Sequence, residues 1–219
     1  MMPAMTDVEP RLPLVAILRG LAPADAPAVG AALFAAGLTI VEVPLNRPGA
    51  LAAIAALAAA APPGALVGGG TVLDTAAVDA VRGAGGRLVV APNCNPAVIA
   101  HAIALGMLCA PGVGTASEAF TALGCGAQAL KLFPAEVWQP RGLAALKTVL
   151  PEGTPLWPVG GITPQSLAGW IAAGATGFGL GSALYRPGDG AGRVGARARE
   201  FVAAWRDAQC APGREGSMV

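Results

Sequence analysis

The sequence predicts an α/β chain folded as a single (β/α)8 TIM barrel. Short runs rich in Val, Ile and Leu recur eight times, spaced by about 20 to 27 residues, and Ala-rich segments with helical spacing separate them. A chain of 219 residues suits one core of this size, since single barrels commonly exceed about 200 residues.

The strand candidates are 12–18, 39–45, 66–72, 87–92, 108–113, 129–133, 156–160 and 177–181. Helix signals fall between them. Ala22-Pro23 is expected to begin the first helix, with proline near its start, and 50–61 is nearly all helix-forming alanine and leucine. Thr115-Ala-Ser-Glu118 reads as a capping box, and Thr163-Pro164 opens a further helix. Eight strands with helical crossovers favour a closed barrel over an open doubly wound sheet. The expected domain is 1–206, with a frayed polar tail over 207–219.

Composition removes several function classes. Charged residues are only 12% of the chain and the formal net charge is +1, so no basic surface exists to follow a nucleic-acid backbone or an anionic membrane. The 54% apolar content is dominated by alanine, and no uninterrupted apolar run approaches the roughly 20 residues of a spanning helix. No export signal is read, because Asp7 and Glu9 stand where a basic leader would lie. The cytoplasm is therefore the expected compartment. Cys94, Cys109, Cys125 and Cys210 show no metal or redox spacing, and His101 is the sole histidine. A zinc enzyme is hard to assemble from such a set, and no metal and no cofactor are expected. His101, on an outer helix, reads as structural.

In a barrel the site forms at the C-terminal ends of the strands. Those ends carry nearly all the charged and hydroxyl residues of the strand runs: Arg19, Glu42, Thr71, Lys131 and Ser182, together with Pro92, Phe133, Val159, Gly160, Gly161 and Gly181. Lys131 is the most informative. It is one of two lysines against twelve arginines and is flanked by Leu130 and Leu132. Burial lowers a lysine's pKa and supplies the neutral amine that attacks a carbonyl, although a lysine whose stem lines the barrel while its head pairs with a carboxylate has the same pattern. Lys147 reads as an ordinary exposed helix residue. Glu42, the second charge in an apolar strand, could pair with Lys131 or Arg19, either as a plain ion pair or as a proton shuttle.

Arg19, before Gly20, could grip a carboxylate bidentately or be a plain surface arginine. The Gly68-Gly69-Gly70 triplet before Thr71 would let a ligand or backbone approach closely. Gly160-Gly161 after strand seven and Gly181-Ser182 after strand eight are where phosphate-binding barrels present backbone N–H groups, though each loop alone could be a tight turn. Cys94 has no histidine beside it to activate a thiol.

Four motifs in order, Glu42-Val43-Pro44-Leu45-Asn46, Gly68-Gly69-Gly70-Thr71-Val72-Leu73, Lys131-Leu132-Phe133-Pro134 and Pro158-Val159-Gly160-Gly161-Ile162, resemble the 2-keto-3-deoxy-6-phosphogluconate aldolase family of class I aldolases. The likeness runs from Leu12 to Trp205. It implies Lys131 as Schiff-base lysine, Glu42 as general acid/base, Thr71 near the substrate carboxylate, and Gly160, Gly161, Gly181 and Ser182 around the phosphate. It further implies a homotrimer without metal, acting on a phosphorylated keto-deoxy sugar acid.

Asn46 stands where the gluconate enzymes carry arginine, and Val159 where they carry threonine. With Ile17-Leu18-Arg19-Gly20, these positions favour the branch acting on the galactonate epimer, Arg19 replacing the missing arginine. Arg47 departs from the serine the family suggests and is assigned no role. Three rivals remain at this level: the same lyase chemistry on the gluconate epimer, a phosphate-binding barrel isomerase or transferase in which Lys131 only neutralises charge, and a sugar-phosphate sensor, against which the lack of a DNA-binding segment argues.

Overall fold

The computed structural model describes residues 11–210. Its strands are β1 (Leu14–Ile17), β2 (Ile40–Pro44), β3 (Leu66–Gly70), β4 (Leu88–Val90), β5 (Leu108–Ala110), β6 (Gly112–Val113), β7 (Leu130–Leu132), β8 (Leu156–Pro158) and β9 (Phe178–Leu180). All pair in parallel. One sheet has the order β5-β4-β3-β2-β1-β9, the other β6-β7-β8. A parallel bridge, Val159 to Gly179, joins β8 to β9 at one seam. At the other, β5 and β6 are consecutive across Pro111. The single strand expected over 108–113 is thus divided, since proline has no N–H to give to a ladder.

Parallel strands need crossovers, and helices supply them: α1 (Ala26–Ala35), α2 (Ala50–Ala60), α3 (Thr75–Gly83), α4 (Pro96–Ala104), α5 (Ala116–Gly124), α6 (Ala135–Lys147), α7 (Leu167–Ala172) and α8 (Ala191–Cys210). The result is a curled parallel sheet clad in helices. The first helix starts later than Ala22-Pro23 suggests. Those residues form a turn in which Asp25 N–H donates to the Ala22 carbonyl, and Pro27 takes the early helical position instead. Half of the expected capping box forms: Thr115 Oγ accepts from Glu118 N–H at 3.2 Å, while Glu118 Oε2 takes the Gly114 N–H and the Thr115 hydroxyl, each at 2.9 Å. Thr163-Pro164 opens a 3-10 turn, Pro164–Ser166, that leads into α7.

α6 breaks into two helical pieces at Gln139, whose φ is 56°, where Pro140 cannot continue the hydrogen-bond ladder. α8 runs to Cys210, past the expected start of the tail at Asp207; 211–219 lie outside the described residues. No helix among the described residues is long and apolar enough to cross a membrane.

Alternate strand residues serve two cores. Ala16, Val41, Val67, Val89, Leu130 and Phe178 face the helices. Val15, Ile40, Leu66, Leu88, Val90, Ala110, Ala129 and Trp157 pack together within the curl. A period of two along each strand produces this division.

Candidate active site

Above the inner cluster the same strand faces turn polar. Glu42 lies two residues beyond Ile40, and Lys131 two beyond Ala129. Glu42 is 2% exposed and Lys131 7%. Both border a small cavity with Val15, Ile17, Trp157 and Val159, and Lys131 also opens onto a cleft of about 500 Å³.

Burial pushes the Glu42 carboxyl up to about 7, against the opposing pull of Lys131 and Arg19. Burial likewise lowers the Lys131 pKa; Glu42 raises it and Arg19 lowers it further. Both groups thus move toward their neutral forms, the outcome when desolvation outweighs mutual attraction. Geometry agrees. The expected direct ion pair of Glu42 with Lys131 or Arg19 is not formed: ion pairs within 4.0 Å among the described residues are His101–Asp79, Arg193–Asp189 and Arg197–Asp189. Glu42 Oε2 is buried without a hydrogen-bond partner. Lys131 Nζ lies 4.9 Å from the Phe133 ring centroid, so the one cationic contact available to it among the described residues is an aromatic face and not a carboxylate.

The cleft gathers the strand-end residues. Arg19, Thr71, Pro92, Lys131, Phe133, Val159, Gly160, Gly161, Gly181 and Ser182 all line it. Arg19 Nη1 donates to Asn46 Oδ1 at 2.7 Å, so these two positions meet as their complementary substitution suggests. The glycine triplet admits the close backbone approach expected of it, and side chains as well. An ideal Cβ on Gly68 would lie 1.9 Å from the Leu88 carbonyl oxygen, on Gly69 2.4 Å from Val81, and on Gly70 1.8 Å from Glu42 Oε2. Its bareness admits the protein's own groups, above all the Glu42 carboxylate. Thr71 then takes φ 56°, a strained conformation for a β-branched residue and the kind of outlier that clusters at functional sites.

Gly160 and Gly161 have φ of 118° and 64°. Side chains there would strike Glu136: Oε2 lies 2.1 Å from an ideal Cβ on Gly160. Gly181 differs, for a Cβ there meets nothing within 4 Å, which leaves room for a ligand. Sequence reasoning missed Glu136, Tyr185 and Arg186, which also line the cleft. Glu136, five residues after Lys131 in the first turn of α6, could have been found from that proximity; Arg186 carried no such mark.

Other residues fall away from the cleft. His101 Nε2 lies 2.8 Å from Asp79 Oδ1, tying α4 to α3. Lys147 is not the simple exposed residue expected: its Nζ donates to the Gly174 carbonyl at 2.9 Å, capping the turn after α7. Cys94 Sγ donates to the Glu118 carbonyl at 3.4 Å, and burial pushes its thiol pKa up, away from a nucleophilic thiolate. Arg47 is exposed beside an apolar groove with Leu45 and Leu51. Among the described residues no cluster of three His, Cys, Asp or Glu could hold a metal ion.

A desolvated lysine and a carboxyl tuned near neutrality, beside a cleft with arginine and bare glycine turns, have the chemistry that amine attack on a carbonyl requires. The chain belongs to the KDPG and KHG aldolase family, whose model matches residues 6–189. Among particular proteins, it is 48% identical over 198 residues to 2-dehydro-3-deoxy-6-phosphogalactonate aldolase of Escherichia coli (strain K12), covering 90% of this chain and 97% of that one. A native KDPGal structure matches with a TM-score of 0.89 and 46% identity, over 93% of this chain and 99% of its own. KDPG aldolase from Legionella pneumophila, 25% identical, matches with a TM-score of 0.75 over 89% of this chain and 92% of its own; it was solved with pyruvate captured as a covalent carbinolamine intermediate.

Proposed function

We propose that the protein is a Schiff-base aldolase, a carbon–carbon lyase that cleaves 2-dehydro-3-deoxy-6-phospho-D-galactonate to pyruvate and D-glyceraldehyde 3-phosphate. The observation that carries this reading is the buried amine of Lys131 beside Glu42, facing the cleft with both groups shifted toward neutrality. A covalent pyruvate adduct in the Legionella relative supports the same chemistry.

The Lys131 amine attacks the C2 ketone, and Glu42 delivers the proton that lets the carbinolamine lose water. The resulting iminium is the electron sink. Glu42, through a water, takes the C4 hydroxyl proton; the C3–C4 bond breaks, its electrons pass into an enamine, and C4 becomes the aldehyde of glyceraldehyde 3-phosphate. Protonation at C3 and hydrolysis by water release pyruvate and restore the amine. Arg19, steadied by Asn46, holds the substrate carboxylate, with Thr71 nearby. Pro92, Phe133 and Val159 shape the walls, and Gly160, Gly161, Gly181 and Ser182 receive the phosphate.

The galactonate epimer is favoured by the Arg19–Asn46 contact and by Val159, with the closer likeness to the Escherichia coli enzyme. Cleavage of the gluconate epimer is the second reading; side-by-side assay of both epimers decides between them. We also read the strand layer as a closed (β/α)8 barrel over 1–206, supported by the Val159–Gly179 bridge and the continuity through Pro111, and the protein as a cytoplasmic homotrimer on the family resemblance.

The decisive experiment is borohydride reduction in the presence of pyruvate followed by peptide mass spectrometry. A reduced pyruvyl adduct on Lys131 is expected. An unmodified Lys131, or an adduct on Lys147, would overturn the mechanism.

A further inference from the structure

We propose that Arg186 is a specificity-determining residue, a guanidinium that binds the phosphate of the substrate and gives the cleft its preference for phosphorylated over free keto-deoxy sugar acids. The inference rests on the aldolase reading and deepens it. Arg186 lies in the loop after β9 and lines the cleft with Gly161 and Ser182.

Two hydrogen bonds hold it there. Its backbone N–H donates to Asp189 Oδ2 at 3.0 Å, and its Nε donates to the Ser182 carbonyl at 3.2 Å. The side chain is thereby folded back over the Ser182 turn while remaining exposed. Asp189 does not neutralise it. That buried carboxylate takes Arg193 Nη1 at 3.0 Å and Arg197 Nη1 at 2.6 Å, which leaves Arg186 with no ion pair among the described residues. A tethered guanidinium with uncommitted charge, beside a glycine with open space at Gly181, is suited to a phosphate.

A local need for that charge is also visible. The Glu136 carboxylate lies against Gly160 and Gly161, so a phosphate received by those turns has a like charge for a neighbour. Neither Gly160, Gly161, Gly181 nor Ser182 brings a formal positive charge, whereas Arg186 does. Its role differs from that of Arg19, which is engaged with Asn46.

The test measures kcat and KM of the wild type, Arg186→Ala and Arg186→Lys with the phosphorylated substrate and with its dephosphorylated counterpart. The ratio of kcat/KM between the two substrates should fall about 10- to 100-fold in Arg186→Ala, chiefly through KM, and recover in part in Arg186→Lys. An unchanged ratio would show that Arg186 does not read the phosphate. Calorimetric titration with inorganic phosphate gives an arm independent of turnover: wild type should bind it more tightly than Arg186→Ala, and equal binding overturns the inference. Borohydride trapping with pyruvate on the same samples reports the aldolase reading separately, since pyruvate carries no phosphate.

Discussion

The interior of the curled sheet has two levels built from the same strands, and they obey opposite rules. The lower level, Val15, Ile40, Leu66, Leu88, Val90, Ala110, Ala129 and Trp157, is hydrocarbon and indole packed without a formal charge. One step of the strand alternation higher, Ile40 gives way to Glu42, Ala129 to Lys131 and Trp157 to Val159. There two ionisable groups are buried with no ion pair between them, and Glu42 Oε2 has no hydrogen bond. The lower level supplies stability through dispersion and burial; the upper one spends part of it to hold an amine and a carboxyl near neutrality.

The sharpest test of the contrast is Lys131→Arg, which keeps the charge and removes the nucleophile, since guanidinium remains protonated. Pyruvate formation should fall by about a thousandfold or more, with the thermal midpoint little changed. Substantial residual turnover would return Lys131 to a merely electrostatic role. Trp157→Ala should behave in the reverse sense at the lower level, costing about 3 to 5 kcal/mol of stability through the cavity it leaves. Denaturant titration checks the loss, and a cost below about 1 kcal/mol would mean that the inner cluster does not carry the packing assigned to it.

The two levels were not equally legible in the sequence. Apolar alternation and the isolated charges placed eight strand runs and brought Lys131, Thr71 and Ser182 to one rim, because period-two burial and an out-of-place charge are local signals. Pairing was not local. Whether Glu42 and Lys131 make an ion pair depends on separation across the sheet, and the expected pair gave way to two groups coupled only through the field. The glycine triplet was visible as unusual but not as space for Glu42, which arrives from the neighbouring strand. Arg186 could not be separated from eleven other arginines until the turn after β9 folded it onto Ser182.

Glu42→Gln tests the strain of the upper level through pH. The Glu42 pKa is raised from 4.5 to about 7 in the folded protein. Between those values the folded state holds a proton that the unfolded chain has lost, so this group's stabilising contribution is full below 4.5 and fades as pH rises through 7. The fade amounts to about 3 kcal/mol. Wild-type stability should therefore fall between pH 4.5 and about 7 and level off above it, and Glu42→Gln should flatten that slope while losing activity. Parallel pH profiles for the two proteins would mean that the carboxyl is not held near neutrality. At the rim, Arg19→Ala should lower kcat/KM about 10- to 100-fold, and adding Asn46→Arg should restore part of it, because both positions meet at one hydrogen bond. No restoration would separate the two positions.

The smallest expected effect belongs to Glu136, the exposed carboxylate against Gly160 and Gly161. If phosphate is received at those turns, the Glu136 charge opposes it, but in a solvent-exposed position where such a term is worth only about 0.2 to 1 kcal/mol. Glu136→Gln keeps the shape and removes the charge. The KM for the phosphorylated substrate should drop by about twofold to fivefold at low salt, and the difference should shrink at 0.5 M salt because exposed charges are screened. The contrast with Glu42 is then direct: two carboxyl groups border the same lysine motif, one buried with its pKa pushed up by desolvation, the other exposed to solvent. A rise in KM on Glu136→Gln would reverse the sign, marking Glu136 as a hydrogen-bond acceptor for the substrate and moving the phosphate away from Gly160 and Gly161.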